Sequence, residues 1–429
     1  MRIVELTGET KKNILNDLLK RSPNNYGEYE ETVNGIIEQV RERGDEAVFG
    51  FTKQFDKCDL TAENLVVTKA ETEEAYLALD DELIETMKKS AENIRAYHEK
   101  QIRQSFFTTK PDGSILGQRI TALSRAGVYV PGGKAAYPSS VLMNVVPAKV
   151  AGVEEIIMTT PPGKDGKVNP GTLVAADIAG VDRIYKVGGA QAVAAMAFGT
   201  ESIPKVDKIT GPGNIFVALA KKAVFGYVSI DSVAGPSEIL VLADDTANPR
   251  YAAADLLSQA EHDELASAIL ITDSMEFAKK VSGEVEAFTR ELSRAEIIRK
   301  SLDNYGYILV AEDMDAAVEA ANDIASEHVE ILTKDPFQTM TKVRNAGAIF
   351  LGEYSSEPLG DYFAGPNHIL PTNGTAKFFS PLSVDDFIKK TSIISYSKEA
   401  LERDHQDIER FARSEGLTAH ANSVAVRFE

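Results

Sequence analysis

Gln259 and His262 lie three residues apart in the segment SQAEHD. If this segment is helical, the two side chains project from one face about 60° apart, and both can reach one small object such as a metal ion. Asp361 in LGDYF and His420 in LTAHANS offer further ligand atoms of the kinds that Zn²⁺ accepts. These four residues form a candidate metal site, while a solvated helix face remains the alternative for Gln259 and His262.

A carboxylate and an imidazole stand side by side at Glu327 and His328 in SEHVEI. Such a pair can move protons near neutral pH, and the carboxylate can activate a water molecule. His368 falls in GPNHILPTNG, a turn-rich segment that also favours a functional loop. His98 and His405 lie instead in highly charged amphipathic segments, where we expect them on solvated faces.

The composition excludes several classes of function. Lys and Arg number 46 and Asp and Glu number 65, which gives a net charge of −19. So negative a surface repels phosphate groups, so we expect no nucleic-acid and no membrane partner. The single cysteine, Cys58, cannot form an internal disulfide or a cysteine-rich zinc cluster, which is typical of a reducing compartment. With no signal-like start and no run of roughly 18 apolar residues, a cytoplasmic location is expected.

The elements that must position these residues follow a regular order from about residue 120. Short apolar runs such as RAGVY, EEIIMT and DRIYKV alternate with helical segments such as VLMNVVPAKVAGV and AQAVAAMAFG, and a similar series begins at SEILVLADD. Strands that alternate with helices in this way predict βαβ units and a mainly parallel sheet. We expect two α/β units, at roughly 106–235 and 236–378, with the helical N-terminal part packing on the second.

The C-terminal segment lies outside both predicted units. SKEALERDHQDIERFARSEG predicts an amphipathic helix, and SVAVRF predicts a short strand. The apolar side chains of Ile408 and Phe411 have to be buried somewhere, and a partner subunit is a natural place.

Two glycine turns follow predicted strands, in KVGGAQAV and ITGPGNIF. A Rossmann-type dinucleotide site requires GxGxxG at such a turn, so that the backbone can approach the pyrophosphate. Neither turn matches, because Gly188 and Gly189 are adjacent and Phe216 occupies the sixth position of GPGNIF. From these residues alone, a nucleotide site and ordinary βα turns are equally supported.

Longer motifs resemble the histidinol dehydrogenase family over essentially the whole chain, from about residue 30 to the end. The motifs are RAGVYVPGGKAAYPSSVLMNVVPAKVAGV, GGAQAVAAMAFGT, ITGPGNIFVALAKK, AGPSEILVLAD, SQAEHD, SEHVEI, LGDYFAGPNHILPTNG and EGLTAHANSVAVR. The resemblance implies an α/β fold with two incomplete Rossmann-like domains, a helical N-terminal part, an extended C-terminal tail and an intertwined homodimer. The implied parts are an N-terminal arm (1–24), an α/β domain carrying most metal and catalytic residues (25–105 with 236–378), an NAD-associated domain (106–235), and a tail reaching the partner subunit (379–429).

The same resemblance implies an activity and a set of site residues. The activity is the last step of histidine biosynthesis, the oxidation of L-histidinol to L-histidine through histidinal, with NAD reduced in each of two successive hydride transfers. Glu327 and His328 are the implied acid–base pair, and one Zn²⁺ per subunit is implied to orient the substrate. The implied metal ligands are Gln259, His262, Asp361 and His420; the implied substrate contacts are these four with Ser237, Glu327, His328, His368 and Glu415; and the implied NAD contacts are Tyr129, Gln191 and Asn214. Glu415 and His420 are implied to come from the other subunit of the dimer.

Two other functions compete with this one. A zinc hydrolase would use Glu327 as its general base, but it leaves the glycine turns without a purpose. A non-catalytic metal- or nucleotide-binding module would make Glu327 and His328 structural. The only thiol, Cys58, lies away from every site motif, so aldehyde oxidation through a thiohemiacetal is disfavoured. Hydration of a bound aldehyde followed by hydride transfer needs no thiol.

Overall fold

The structure is a computed structural model that describes residues 1–21, 27–132 and 137–429. These residues divide into two compact units, one formed by Met1–Gln101 and Leu123–Phe387 and the other by Ile102–Ala122 and Ile388–Glu429. Over the described ranges, none of the helices has the length and apolar character that a bilayer span requires. The predicted end of the N-terminal arm, at residue 24, falls outside the described residues, and so does part of the long motif that begins at Arg125.

The strands form three sheets. They are β1 (Arg2–Glu5), β2 (Phe106–Thr109), β3 (Ile115–Ala122), β4 (Arg125–Tyr129), β5 (Glu155–Thr159), β6 (Arg183–Tyr185), β7 (Lys208–Thr210), β8 (Ser229–Ile230), β9 (Glu238–Ala243), β10 (Ser267–Thr272), β11 (Gly306–Val310), β12 (His328–Leu332), β13 (Ala348–Leu351) and β14 (Ile388–Ser395). In the first unit, a five-stranded sheet has the order β6-β5-β4-β7-β8 and a six-stranded sheet has the order β1-β11-β10-β9-β12-β13. Every pairing in these two sheets is parallel, whereas the second unit holds the antiparallel sheet β14-β3-β2.

The helices cover the two parallel sheets and form the C-terminal part of the second unit. They are α1 (Gly8–Leu19), α2 (Gly27–Arg43), α3 (Asp45–Phe55), α4 (Lys69–Leu77), α5 (Asp81–His98), α6 (Pro138–Ala151), α7 (Pro170–Ala179), α8 (Gly189–Phe198), α9 (Ile215–Val224), α10 (Pro249–Ala260), α11 (Met275–Glu291), α12 (Ala295–Tyr305), α13 (Met314–Ile324), α14 (Pro336–Met340), α15 (Glu357–Tyr362), α16 (Lys398–Ser414) and α17 (Thr418–Ala425). The α/β fold with parallel sheets that the sequence predicts is confirmed.

In each parallel sheet, the chain adds strands first on one side of a central strand and then on its other side. In the five-stranded sheet, β5 and β6 lie on one side of β4, and β7 and β8 lie on the other. In the six-stranded sheet, β10 and β11 lie on one side of β9, and β12 and β13 lie on the other. Crevices at the carboxyl ends of the strands form at such switch points, between β4 and β7 and between β9 and β12.

The helices α2 to α5 pack on the five-stranded sheet and its helices, so the expectation that the helical N-terminal part packs on the 236–378 unit is wrong for these helices. Val33 and Val48 share one buried cluster with residues of α8 and α9, and Ile84 and Ile94 share another with residues of α6 and α7. The physical reason lies in α8 and its neighbours, which are apolar on all sides and therefore need a second covering layer. The division of the chain into domains stays a prediction.

Two local expectations are also corrected. His98 is fully buried, since its Nδ1 lies 2.7 Å from the Ile94 carbonyl and Asn367 contacts the other ring nitrogen. The segment SVAVRF is not a strand, because α17 continues through Ala425 and the chain ends in a turn. The apolar pattern of SVAVRF is too short to distinguish a strand from the end of a helix. The mixture of charged and apolar residues around His98 does not show which face of its helix is buried.

Candidate active site

The acid–base pair lies at the amino edge of the six-stranded sheet. His328 opens β12, and Glu327 immediately precedes it. The neighbouring strand β9 opens with Glu238 and pairs in parallel with β12, so that His328 lies opposite Ile239. Because parallel strands bring their amino ends to the same edge, Ser237 lies there too, just before β9.

Backbone groups of Glu238 orient both members of the pair. Its N–H donates to Glu327 Oε2 over 2.9 Å, and its carbonyl oxygen lies 3.0 Å from His328 Nδ1. With Nδ1–H directed at that carbonyl, Nε2 is the ring nitrogen left to accept a proton. That Nε2 is buried and has no hydrogen-bond partner among the described residues.

Burial and charge shift the pKa values of this pair in the same direction. Burial raises the pKa of Glu327 to about 8, although the neighbouring His328 opposes the shift. Burial by itself would lower the pKa of His328, but the adjacent Glu327 and Asp361 carboxylates outweigh it and raise the pKa to about 9. Without an ion, both groups thus favour their protonated forms near neutral pH. A cation held by Asp361 would lower the pKa of His328 and favour the neutral imidazole that can act as a base.

Asp361 and His368 face His328 from the opposite side. Asp361 lies on α15, with Oδ1 3.7 Å from His328 Nε2 and 3.8 Å from His368 Nδ1. His368 is held by the Asp361 carbonyl, 3.1 Å from Nδ1, and by the Ser140 hydroxyl, 3.3 Å from Nε2. Burial by itself would raise the pKa of Asp361, but the nearby imidazoles of His328 and His368 outweigh it and lower the pKa to about 2. Asp361 is thus a carboxylate, which is the form that binds a metal.

The last turn of α10 brings Gln259 to the same place. Gln259 is 1% exposed, and its Nε2 lies 3.1 Å from His328 Nδ1. Its Oε1 is buried without a partner among the described residues. With a proton on His328 Nδ1, the opposite orientation of the amide would direct this oxygen at Nδ1–H. His262 follows the helix and opens to the cleft, where crowding by protein atoms lowers the pKa of the ring and favours the neutral imidazole that a metal needs.

A cleft of about 450 Å³ connects these residues to the carboxyl edge of the five-stranded sheet. From the six-stranded side it is lined by Ser237, Gln259, His262, Glu327, His328, Asp361 and His368, and from the five-stranded side by Pro131, Gly132, Gly211, Pro212, Gly213, Asn214 and Asp231. The first set holds seven of the predicted site residues. One cavity therefore joins groups that can move protons to a strand edge of the kind that binds nucleotides.

The three predicted NAD contacts surround that strand edge. Tyr129 ends β4, and its hydroxyl accepts a hydrogen bond of 3.1 Å from Gly189 N–H at the start of α8. Gln191 is 1% exposed, and its Oε1 has no partner within the described ranges. Asn214 lines the cleft and caps α9, accepting from the N–H groups of the next turn. An unpaired buried amide and two helix N-termini at one edge fit a dinucleotide.

Sequence analysis missed Glu357, the first residue of α15. Glu357 is 2% exposed and accepts a hydrogen bond of 3.0 Å from Ser258 Oγ, while its N–H donates to Glu330. Burial, reinforced by the charge of Asp361, raises its pKa to about 8. Ligand atoms of His328, Glu357 and Asp361 all lie within 4.8 Å of one another. The available signal was the four-residue spacing of Glu357 and Asp361, which places both on one helix face.

Two predicted residues belong to the second unit. Glu415 follows α16 and His420 lies on α17, and both side chains are exposed. The first unit thus supplies three of the four predicted metal ligands, Gln259, His262 and Asp361. His420, as the fourth ligand, and Glu415, as a substrate contact, stay predictions.

A larger cavity lies at the opposite edge of the six-stranded sheet. It measures about 580 Å³ and adjoins the carboxyl ends of β9, β10 and β12, where Asp244, Asp273 and Lys334 line it. Its lining holds no histidine, and Asp244 is already bonded to the backbone N–H of Lys334 and Thr246. The larger volume of this cavity therefore does not make it the candidate active site. The smaller cleft is the candidate because it contains the acid–base groups.

Comparison with known proteins agrees with this geometry. The family model described as histidinol dehydrogenase matches residues 19–428. The chain is 54% identical to a histidinol dehydrogenase of Clostridium acetobutylicum, over 100% of this chain and 99% of the relative. It is 58% identical to one of Bacillus subtilis, over 93% of each chain. A crystal structure of histidinol dehydrogenase from Elizabethkingia anophelis superposes with a TM-score of 0.93 at 36% identity, covering 100% of this chain and 98% of that one.

Proposed function

Because the chain belongs to the histidinol dehydrogenase family, we propose that it oxidises L-histidinol to L-histidine through histidinal, in two successive NAD-dependent steps. The observation that carries the proposal is the position of His328. Its unpartnered Nε2 lies 3.7 Å from Asp361, in a cleft that continues to the carboxyl edge of the five-stranded sheet. A base and a nucleotide edge in one cavity are what an alcohol dehydrogenase requires.

The bound groups would supply the chemistry that side chains lack. When bound, NAD would supply the hydride acceptor for each oxidation, and Zn²⁺ would supply a positive centre that orients the polar atoms of the substrate. Gln259, His262 and Asp361 of one subunit, with His420 of the partner subunit, would hold the ion. The meeting of Gln259, His262 and Asp361 in one cleft and the ionised Asp361 support this set.

The protein's own residues would move the protons. In the first oxidation His328 Nε2 takes the proton of the substrate hydroxyl, while Nδ1–H remains directed at the Glu238 carbonyl. In the second step Glu327 takes a proton from water as the water oxygen adds to the aldehyde carbon, and His328 returns its proton to the carbonyl oxygen. The neutral hydrate formed in this way would then be oxidised to the acid. Glu327 is suited to this because burial holds its pKa close to neutrality, where it both accepts and returns a proton.

We expect the second unit to complete the active site of the partner subunit in a homodimer. Glu415 and His420 are exposed in the single chain, and Phe411 on α16 is 69% exposed. An apolar side chain this exposed beside two predicted site residues supports a tail that packs on the partner subunit and completes its site.

The experiment that tests the proposal is a titration of purified enzyme with L-histidinol and excess NAD, read as NADH absorbance. We expect two NADH per histidinol, loss of the activity on chelation, and recovery with Zn²⁺. One NADH per substrate would mean an alcohol dehydrogenase that stops at the aldehyde. No NADH from folded, zinc-loaded protein would overturn the proposal.

Mixed dimers test the shared site. Neither His420→Asn nor Glu327→Gln alone should be active, but random exchange of subunits should restore about a quarter of the wild-type rate, since half of the dimers then carry one intact site of two. Inactive mixtures, after subunit exchange has been verified by mass, would place His420 and Glu327 in the same subunit's site or remove His420 from the site.

A further inference from the structure

A second cavity adjoins the cleft on the far side of the loop that follows β4. It measures about 350 Å³ and shares Pro131 and Gly132 with the cleft as lining residues. The rest of its wall comes from Asp56, from the residues after β5 and from the start of α7: Thr160, Pro161, Pro162, Gly163, Lys164, Lys167, Asn169 and Thr172. An extended ligand that lies in the cleft can therefore continue into this cavity.

Asp56 is the one acidic residue in the described lining of this cavity. Its Oδ2 is buried without a hydrogen-bond partner among the described residues. Asp56 also caps the C-terminus of α3, the end of a helix where a negative charge is unfavourable. Burial accordingly raises the pKa of Asp56 to about 6. The next residue, Lys57, has a φ of 58°, a strained conformation that fixes the chain direction beside Asp56.

The position of Asp56 in the fold corresponds to a known requirement of nucleotide binding. In a mononucleotide-binding unit, an acidic residue near the end of the second strand accepts hydrogen bonds from the adenosine ribose. Here β4 and β5 are the first and second strands, and the residues that follow β5, Thr160–Gly163 in TPPG, include no acid. Asp56, which comes from α3, lines the cavity beside that loop instead.

The path between cleft and cavity also suits a pyrophosphate. The N-terminus of α8 lies against the same loop, because a Cβ on Gly188 would overlap the ring of Pro161. At that N-terminus, Gly189 N–H donates to the Tyr129 hydroxyl, and the charge of Asp56 acts on that phenol. The positive end of a helix thus lies beside the cleft and the Asp56 cavity alike.

We propose that Asp56 binds the ribose hydroxyls of the adenosine half of the dinucleotide and selects NAD over its 2′-phosphorylated form. The inference rests on the proposed function and assigns to the dinucleotide a residue that the sequence motifs do not. Oδ2 accepts the 2′-hydroxyl hydrogen, and a 2′-phosphate at this place would bring two negative charges against a carboxylate. Two lysines also line the cavity: Lys164 is exposed, and Lys167 is paired with Glu74 over 2.5 Å.

The test is calorimetric binding of dinucleotides to the zinc-loaded enzyme without histidinol. In the wild type, 2′-deoxy-NAD and NADP should each bind roughly 10- to 100-fold more weakly than NAD, the range expected for one hydrogen bond to a charged group. Asp56→Asn should weaken NAD by a similar factor and should reduce the discrimination against 2′-deoxy-NAD and NADP to a few-fold. Binding of histidinol alone should not change.

A matched control is available three residues along the chain. Asp59 is exposed and pairs with Lys53 over 2.6 Å, so Asp59→Asn makes the same chemical change outside the cavity and should leave NAD binding as it is. Equal wild-type affinity for NAD and 2′-deoxy-NAD would overturn the inference without any variant. Unchanged discrimination in Asp56→Asn would also overturn it while leaving the proposed function intact. A folded wild-type protein that binds no NAD would overturn both the inference and the proposed function.

Discussion

The two parallel sheets of the first unit present opposite edges to one cleft. The five-stranded sheet contributes its carboxyl edge, where Tyr129 ends β4 and Gly211 follows β7. The six-stranded sheet contributes its amino edge, where Glu327 and His328 begin β12. The carboxyl edge of the six-stranded sheet holds a cavity in which aspartates such as Asp244 and Asp273 lie beside Lys334 and Lys342, with no histidine in the described lining.

The difference shows how similar architecture can serve two tasks. A carboxyl edge offers glycine turns and helix N-termini, which suit an anionic ligand. An amino edge offers the backbone groups that begin two neighbouring strands, and in this sheet they hold an acid and a base at fixed orientation. The proposed function assigns binding through backbone and shape to the first edge, and chemistry through buried ionisable side chains to the second.

The largest effect is expected when the proposed base, His328, is removed from the amino edge of the six-stranded sheet. We expect His328→Asn to lower kcat by roughly 10²- to 10⁴-fold, because general base catalysis is lost, with NAD affinity unchanged because the other edge is intact. Bound zinc, measured by elemental analysis, should also be unchanged.

The zinc measurement separates two assignments of the metal site. Loss of zinc from His328→Asn would mean that the ion sits among His328, Glu357 and Asp361 instead of the predicted set. A near-normal rate would remove His328 from the role of base.

A change at the carboxyl edge should have the complementary effect. Gly211 has a φ of 118°, and a Cβ there would overlap the carbonyl oxygen of Tyr129. Gly211→Ala should lower the free energy of unfolding by roughly 2–4 kcal/mol and weaken NAD, because strain and steric overlap both displace the end of β4. Thermal unfolding and calorimetric titration of NAD measure the two effects.

Gly226 provides the matched control, since its φ is 100° and a Cβ there would contact nothing within 4 Å. Gly226→Ala should cost only the backbone strain, about 1 kcal/mol, and should leave NAD binding unchanged. Equal losses of stability and of NAD affinity in the two variants would show that the overlap with Tyr129 of β4 does not cause the effect of Gly211→Ala.

The smallest expected effect is a pH dependence of the free energy of unfolding that comes from His328 at the amino edge of the six-stranded sheet. A histidine whose pKa is raised by folding, from 6.5 to about 9, stabilises the protein fully below pH 6.5 and loses this contribution as pH rises through 9. In chelator-treated protein we expect the free energy of unfolding to fall over that window by on the order of 1–3 kcal/mol. Urea unfolding at a series of pH values should show a smaller fall in His328→Asn, and an identical slope would contradict the assignment.

The sequence predicted best where the signal is continuous along the chain. Glu327 and His328 are adjacent, and α8 is apolar on every side, so both could be recognised locally. Glu357 was missed because its importance depends on Ser258 and Glu330, which lie 99 and 27 residues away. His98 was misplaced because a charged segment does not show which of its faces is covered by a distant loop.

The contacts that orient the acid–base pair come from the main chain of Glu238, and this has a consequence for how the enzyme can change in evolution. The N–H and the carbonyl that hold Glu327 and His328 are present whatever side chain occupies position 238. No single substitution there deletes them, apart from proline, which would remove the N–H. The orientation of Glu327 and His328 follows from the pairing of β9 and β12, so neighbouring side chains can change while the proposed acid–base pair keeps its orientation.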